Sequence, residues 1–212
     1  LGVHLTGELS RWASPKDIIS AVAGMITVKG GTGSIIEYFG PGAMTLSATG
    51  MATVCNMGAE TGATTSIFPY APQMVDYLRS NHRHDMASAI ESIAPALQAD
   101  SGAEYDRVIE LDLSTLEPRI NGPFTPDLST PLSQFSTAVK ENKWPEKLTA
   151  GLIGSCTNSS FEDMGRAASL AQQAMAVGLK PKMPLLVSPG SLQTRNTLNE
   201  AGILPVFEKL GA

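Results

Sequence analysis

The sequence predicts an α/β fold of two units, each an α/β/α-type arrangement with mostly parallel or mixed sheets. Three observations carry this. Short β-branched or alternating runs recur between helical stretches. The last third reads strand, helix, strand, helix, which implies a parallel sheet joined by right-handed crossovers. Between the two halves, Pro118, Pro123, Pro126, Pro131 and Pro145 punctuate a stretch with few apolar runs. The expected division is therefore residues 1–117, a connector over 118–147 and a second α/β unit over 148–212.

The elements follow in order. Ser14-Pro15-Lys16-Asp17 reads as an N-cap with proline in the first turn. Ile18, Ile19, Val22, Ala23 and Met25 then give an apolar helical face that stops at Gly30-Gly31. Ile35–Phe39 is β-branched and aromatic and precedes Gly40-Pro41-Gly42, as a strand would. Thr49–Ala59 is small, apolar and nearly uncharged, the pattern of a tightly packed helix. Ala63–Pro69 leans to β, Pro72–Ser80 and Met86–Ala99 to helix, the latter interrupted by Pro95. Val108–Leu113 alternates as a strand. In the second unit Leu148–Gly154 reads as a buried strand. Ser159 and Glu162 stand as a capping box, opening a helix from about Ser160 to Val177 with Gly178 as its stop. Pro184–Ser188 is the next strand, and Leu192–Glu200 the next helix.

Composition excludes several classes. With 42% apolar residues in 212, the chain can bury a core and is not a disordered tail. No run of about 18 apolar residues is present, so a membrane-spanning helix is not expected. The opening Leu1-Gly2-Val3-His4 lacks a basic and an apolar leader, so no signal peptide is visible; a leucine in mid-pattern reads as a piece of a longer chain. Lys plus Arg number 15 against 20 Asp plus Glu, a formal charge of −5 that argues against a polyanion-binding surface. Arg79–His84 is the one basic cluster, and it reads as a solvated helix end. Two cysteines, Cys55 and Cys156, do not make a disulfide scaffold and fit a reducing compartment.

Chemistry concentrates at two places. Gly154-Ser155-Cys156-Thr157-Asn158-Ser159-Ser160 joins the carboxyl end of a strand to a helix N-terminus, where ligands bind open parallel sheets and where a thiolate is favoured. Cys156 is a candidate nucleophile or soft-metal ligand, with an inert turn cysteine as the alternative. As a nucleophile it needs a base, and His4, His82 and His84 are all remote in sequence. As a metal ligand it needs partners beyond this chain. The second place is Cys55-Asn56-Met57-Gly58-Ala59-Glu60. Asn56 and Glu60 are four apart and share one helix face, and a carboxylate in so apolar a segment is either a locally bonded helix end or an acid/base group. Cys55 reads as a core residue. Lys29-Gly30-Gly31-Thr32-Gly33-Ser34 resembles a phosphate loop but lacks the G-x-x-x-x-G-K-[ST] pattern, and a tight helix-to-strand turn is the competing reading. Pro189-Gly190-Ser191 with Arg195 reads equally as an anion site or as a plain turn.

Taken together, these motifs are recognisable. Val28–Gly33, Glu37–Gly42, Thr49–Glu60, Gly62–Ser66, Phe68–Tyr70 and Gly151–Met164 follow one another as in the aconitase family, which the chain resembles along nearly its whole length. Glu162-Asp163-Met164 resembles the mitochondrial branch rather than the cytosolic, RNA-binding one. The resemblance implies a hydro-lyase of the tricarboxylic acid cycle in the mitochondrial matrix. Such an enzyme interconverts citrate and isocitrate through cis-aconitate, with a [4Fe–4S] cluster as Lewis acid. Carried over, Cys156 is one of three cysteine cluster ligands, Asn56 hydrogen-bonds near the cluster and Glu60 assists at the substrate hydroxyl or water. It also implies a Cys-Gly-Pro-Cys pair beyond Ala212, so the rest of the family chain is needed to complete the site. A related homoaconitase or methylcitrate-type dehydratase shares this pattern. From another class, the segment reads as a non-catalytic or RNA-binding module, or as a thiol enzyme built on Cys156.

Overall fold

A computed structural model describes residues 1–10 and 12–212, which form two compact units, Leu1–Glu141 and Asn142–Ala212. The first is organised by a four-stranded parallel sheet of β1 (Gly2–Thr6), β2 (Ile35–Phe39), β3 (Thr65–Ile67) and β4 (Val108–Asp112), in the spatial order β3-β2-β1-β4. Pairing sets Val3 beside Tyr38 and Ile109, and His4 beside Phe39 and Glu110. Since successive side chains alternate across a sheet, Val3, Leu5, Ile36, Tyr38, Ile109 and Leu111 fall on one face. That face is buried with Ile18, Ile19, Val22 and Ile26 of α1 (Pro15–Ile26) and Met51 and Val54 of α2 (Ala48–Met57). On the other face His4 stacks on Phe39 and Phe39 on Tyr105, with centroids 4.8 and 4.9 Å apart, and His4 Nδ1 meets Glu110 Oε2 at 2.6 Å.

β1 is a strand that the sequence reading did not predict. Its alternation, Val3 and Leu5 against His4 and Thr6, was present but too short to stand alone beside a chain start. Other elements differ at their ends. α1 stops at Ile26, short of Gly30, because Thr27 takes a positive φ of 65° that no helix continues. The predicted helix to Ala59 ends at Met57 and tightens into a 3-10 turn over Gly58–Thr61. The chain then passes α3 (Pro72–Ser80) and α4 (His84–Ser92), which ends before Pro95 as proline requires, with a 3-10 turn following at Ala94–Leu97.

The stretch expected as a bare connector carries structure. β5 (Arg119–Asn121) and β6 (Ser129–Pro131) pair antiparallel, and α5 (Leu132–Asn142) follows. The hairpin lies on α1, where a Cβ at Gly24 would stand 2.7 Å from that of Ser129, and Asn121 Nδ2 donates to the Ser20 carbonyl at 3.2 Å. Its prolines sit in the turn and at the strand end, where no ladder N–H is lost. One carboxylate joins the hairpin to α1. Asp17 is 7% exposed; its Oδ2 accepts from the Ser14 amide at 2.7 Å and the Ser14 hydroxyl at 3.0 Å, while Oδ1 accepts the Arg119 amide at 2.8 Å. This closes the helix N-terminus and anchors a segment 102 residues away.

The second unit runs β7 (Gly151–Gly154), α6 (Phe161–Ala176), β8 (Leu185–Ser188), α7 (Leu192–Glu200) and α8 (Leu204–Leu210). β7 and β8 pair in parallel from Gly151 opposite Leu185 to Gly154 opposite Ser188. Ile153 and Val187 pack on a core of Met164, Ala168, Ala171, Leu198 and Phe207. β7 is shorter than the predicted Leu148–Gly154, and it is not buried on both faces: Leu152 and Leu186 are 61% and 58% exposed. α8 was not foreseen; its apolar residues Leu204, Val206, Phe207 and Leu210 close the core from the far side of α6 and α7. No helix among the described residues is long and apolar enough to cross a membrane.

Replacing Asp17 with alanine removes three accepted hydrogen bonds and strands two half-buried amides. The expected cost is about 2–4 kcal/mol, read as a lowered urea midpoint at unchanged m-value. Asp17→Asn, which retains one acceptor oxygen, is expected to lose about half of that.

Candidate functional site

The loop after β7 is held by crowding as much as by hydrogen bonds. Gly154 leaves the strand at φ 103°, and a Cβ there would stand 2.1 Å from the Ser188 carbonyl oxygen and 2.6 Å from Met164 Cε. Gly190, on the neighbouring loop after β8, is as tight, with its Cβ position 2.4 Å from Ser159 Oγ. Ser155 and Asn158 both take positive φ, 88° and 55°. Between them Cys156 is a free and exposed thiol, its Sγ 3.8 Å from Thr157 Oγ1.

The loop is then tied to the first turn of α6. Ser160 is the N-cap: its Oγ accepts the Asp163 amide at 3.1 Å and donates to Asp163 Oδ2 at 2.7 Å. The Ser160 amide donates back to Oδ2 at 3.2 Å, and Asn158 Nδ2 donates to Oδ1 at 3.2 Å. The capping box is thus Ser160 with Asp163, one residue on from the predicted Ser159 and Glu162, because the helix begins at Phe161. Sequence reasoning missed Asn158 and Asp163. Their signal was the same S-x-x-[DE] spacing read in the next register, plus an asparagine where the backbone turns left-handed.

Asn56 and Glu60 lie at the other kind of sheet edge. Asn56 is exposed on the last turn of α2, and Glu60 is exposed in the 3-10 turn that follows. Both precede β3, so they stand toward the amino end of the strands, while Cys156 follows the carboxyl end of its own strand. The tighter 3-10 winding rotates Glu60 beyond the same-face position that a continuous helix would give it. The structure therefore brings Asn56 and Glu60 onto one short segment of the first unit, and presents Cys156 from the second.

Cys55, expected in the core, is half-buried, and burial pushes its thiol up to about 11. The phenol of Tyr38 beside it is pushed higher still, first by burial and then by Cys55, and its buried hydroxyl has no partner among the described residues. The remaining candidates resolve into structure. Lys29–Ser34 is a helix-to-strand turn, with the Ser34 amide donating to the Gly31 carbonyl at 2.9 Å. Arg79 pairs with Glu91 at 2.7 Å, so the basic cluster is a solvated helix end. Ser191 caps α7 by accepting the Thr194 amide, which makes Pro189-Gly190-Ser191 a helix start.

Cysteine sulfur is the donor that iron–sulfur clusters use, and Cys156 presents an exposed thiol on a loop crowded at Gly154 and Gly190. Among the described residues, no three His, Cys, Asp or Glu side chains converge as metal ligands would. The donor chemistry of Cys156 is compatible with such a group, and the described residues do not bring a complete ligand set together.

The comparison with known proteins bears on that incomplete donor set. A family model described as "Aconitase family (aconitate hydratase)" matches residues 1–212. The chain belongs to the aconitase family. It is 59% identical to the mitochondrial aconitate hydratase of Schizosaccharomyces pombe and 61% identical to that of Emericella nidulans. A probable mitochondrial aconitate hydratase of Dictyostelium discoideum is 58% identical. Each match covers 100% of this chain and 27% of the relative, so the chain spans about a quarter of the length of these proteins. Membership of the family implies an iron–sulfur cluster in the full-length protein.

The two thiols are expected to separate cleanly on alkylation. Iodoacetamide at pH 8 should label exposed Cys156 first. Cys55 is protonated in all but roughly one molecule in a thousand at that pH, three units below its raised value of about 11. Its labelling rate should therefore climb about tenfold per pH unit up to that value, as mass spectrometry of the two tryptic peptides would show.

Proposed function

We propose that this chain is the part of a mitochondrial aconitate hydratase that supplies Asn56, Glu60 and Cys156 to the active site. The full-length enzyme is a matrix hydro-lyase that interconverts citrate and isocitrate through cis-aconitate. The observation that carries the reading is the Gly154–Ser160 loop: one exposed cysteine on a backbone fixed by Gly154, Gly190 and the Ser160–Asp163 box, in a chain matched over its whole length by relatives of that name. A [4Fe–4S] cluster, when bound, supplies Lewis-acid polarisation of a substrate hydroxyl and carboxylate.

This chain's own residues do the rest. Cys156 gives one thiolate, held by the clamp so that little conformational freedom is lost when it ligates. Glu60, on a short turn with its carboxylate in solvent, is placed to take or return a proton at the substrate's hydroxyl or at water. Asn56, one turn earlier, offers an amide that can both donate to and accept from an oxygen-rich acid. The acidic surface, at a formal charge of −5, weighs against the RNA-binding alternative.

In a full-length chain carrying this segment, Cys156→Ser is expected to abolish recovery of the cluster's visible absorbance and iron after anaerobic reconstitution. Glu60→Gln should keep the cluster and lose at least about a hundredfold in kcat. A cluster retained in Cys156→Ser would rule out the ligand assignment. The 212-residue chain alone is expected to hold no stoichiometric iron and sulfide and to show no citrate-to-aconitate turnover, as a metal and absorbance assay at 240 nm would record.

A further inference from the structure

The turn that carries Glu60 is braced from beneath by the glycine-rich loop. Thr61 is fully buried, and its hydroxyl donates to the Gly58 carbonyl at 2.7 Å, closing the 3-10 turn on itself. The Gly31 amide donates to the Thr61 carbonyl at 2.9 Å, and a Cβ at Gly31 would stand 2.8 Å from Thr61 Oγ1. Gly62 ends the turn at φ 77°, its amide on the Ala59 carbonyl at 3.0 Å and its Cβ position 2.9 Å from Thr32 Oγ1 and 3.0 Å from the Val28 carbonyl. Thr32 bridges to Ala63, and the Thr64 amide reaches the Ser34 carbonyl at 2.9 Å. The far side of the loop is fixed in turn, since the Val28 amide donates to Asp127 Oδ2 at 3.0 Å.

The backbone groups of Lys29–Ser34 are thus used within the loop, at Thr32 to Lys29 and Ser34 to Gly31, and by the Gly31 amide on the Glu60 turn, rather than held open for an anion. We propose that Thr61, seated in the Gly31–Thr32 loop, is the positioning residue for Glu60. It holds the backbone from which the exposed Glu60 side chain extends, while its own side chain is fully buried. Proton transfer requires heavy atoms within about 2.6–3.2 Å, and misplacement by about 1 Å costs up to about a hundredfold in rate. A four-residue turn without this brace would not hold such a tolerance. The inference rests on the reading of Glu60 given above.

The test uses a full-length, cluster-loaded chain carrying this segment. Thr61→Val keeps the branched shape and removes the hydroxyl; it is expected to lower kcat at least tenfold with KM within twofold and cluster iron unchanged. Thr61→Ser is expected to return kcat to within threefold of the parent. Hydrogen exchange at the Gly31 amide should accelerate in Thr61→Val while amides of α1 stay protected. In a Glu60→Gln background Thr61→Val should cost nothing further, because its effect runs through Glu60. A Thr61→Val enzyme with kcat within twofold of the parent, or one whose loss is undiminished in the Glu60→Gln background, overturns the proposal. If Thr61→Val does not fold, Asp127→Ala loosens the loop from its outer end. A two- to fivefold loss of kcat at constant KM is then expected, and unchanged kcat overturns the proposal. Should Glu60→Gln itself leave turnover intact, the assignment of Glu60 fails. A crippled Glu60→Gln enzyme with a silent Thr61→Val sinks the brace alone.

Discussion

The first unit depends on keeping both edges of β1 paired. A strand in mid-sheet has no edge for water to satisfy, so β2 and β4 must both align with it before its amides and carbonyls are matched. The register that does this also puts Val3 and Leu5 among Tyr38, Ile109 and Leu111 on a single face, and that face has to be roofed. α1 and α2 supply the roof, and their positions follow from it. Once α1 is placed, Asp17 at its first turn can reach the Arg119 amide, and the proline-rich hairpin folds onto the helix. The β5–β6 hairpin is thereby fixed through a handful of polar contacts to a helix more than 90 residues upstream.

The candidate residues share a design despite standing at opposite kinds of strand end. In each case a reactive side chain is exposed while the backbone beneath it is locked. Gly154 and Gly190 admit a neighbouring backbone or hydroxyl at distances where any side chain would clash, and Gly31 and Gly62 do the same under Glu60. Close packing is confined to the backbone beneath, so Cys156 and Glu60 stay exposed on tightly packed turns. Cys55 shows the contrast. It lies one residue from Asn56, yet burial raises its thiol to about 11 and leaves it protonated, and so unreactive, at neutral pH.

Only part of this was readable in advance. α6, β4 and the strand-helix alternation of the second unit were legible because their apolar periodicity is strong and α6 stops at Gly178, a glycine with positive φ. β1 was missed because five residues of alternation carry little signal until two partner strands exist. α5 and the β5–β6 hairpin were hidden by prolines that read as breakers, although each proline occupies a turn or strand end where it breaks nothing. The capping box was read one residue early, since two overlapping S-x-x-acid patterns fit Ser159 and Ser160 alike and only the helix start decides between them.

The sequence by itself carried the family and the strand-helix alternation, and it singled out Cys156, Asn56 and Glu60 as candidates, because contiguous motifs are legible from neighbours along the chain. The tertiary structure alone decided what the glycine-rich loop packs against and what holds the backbone beneath the candidate side chains. Those answers depend on contacts between residues about 30 to 100 positions apart, such as Gly31 with Thr61 and Val28 with Asp127. Such contacts exist only once the sheet has brought the segments together, and no local pattern encodes them.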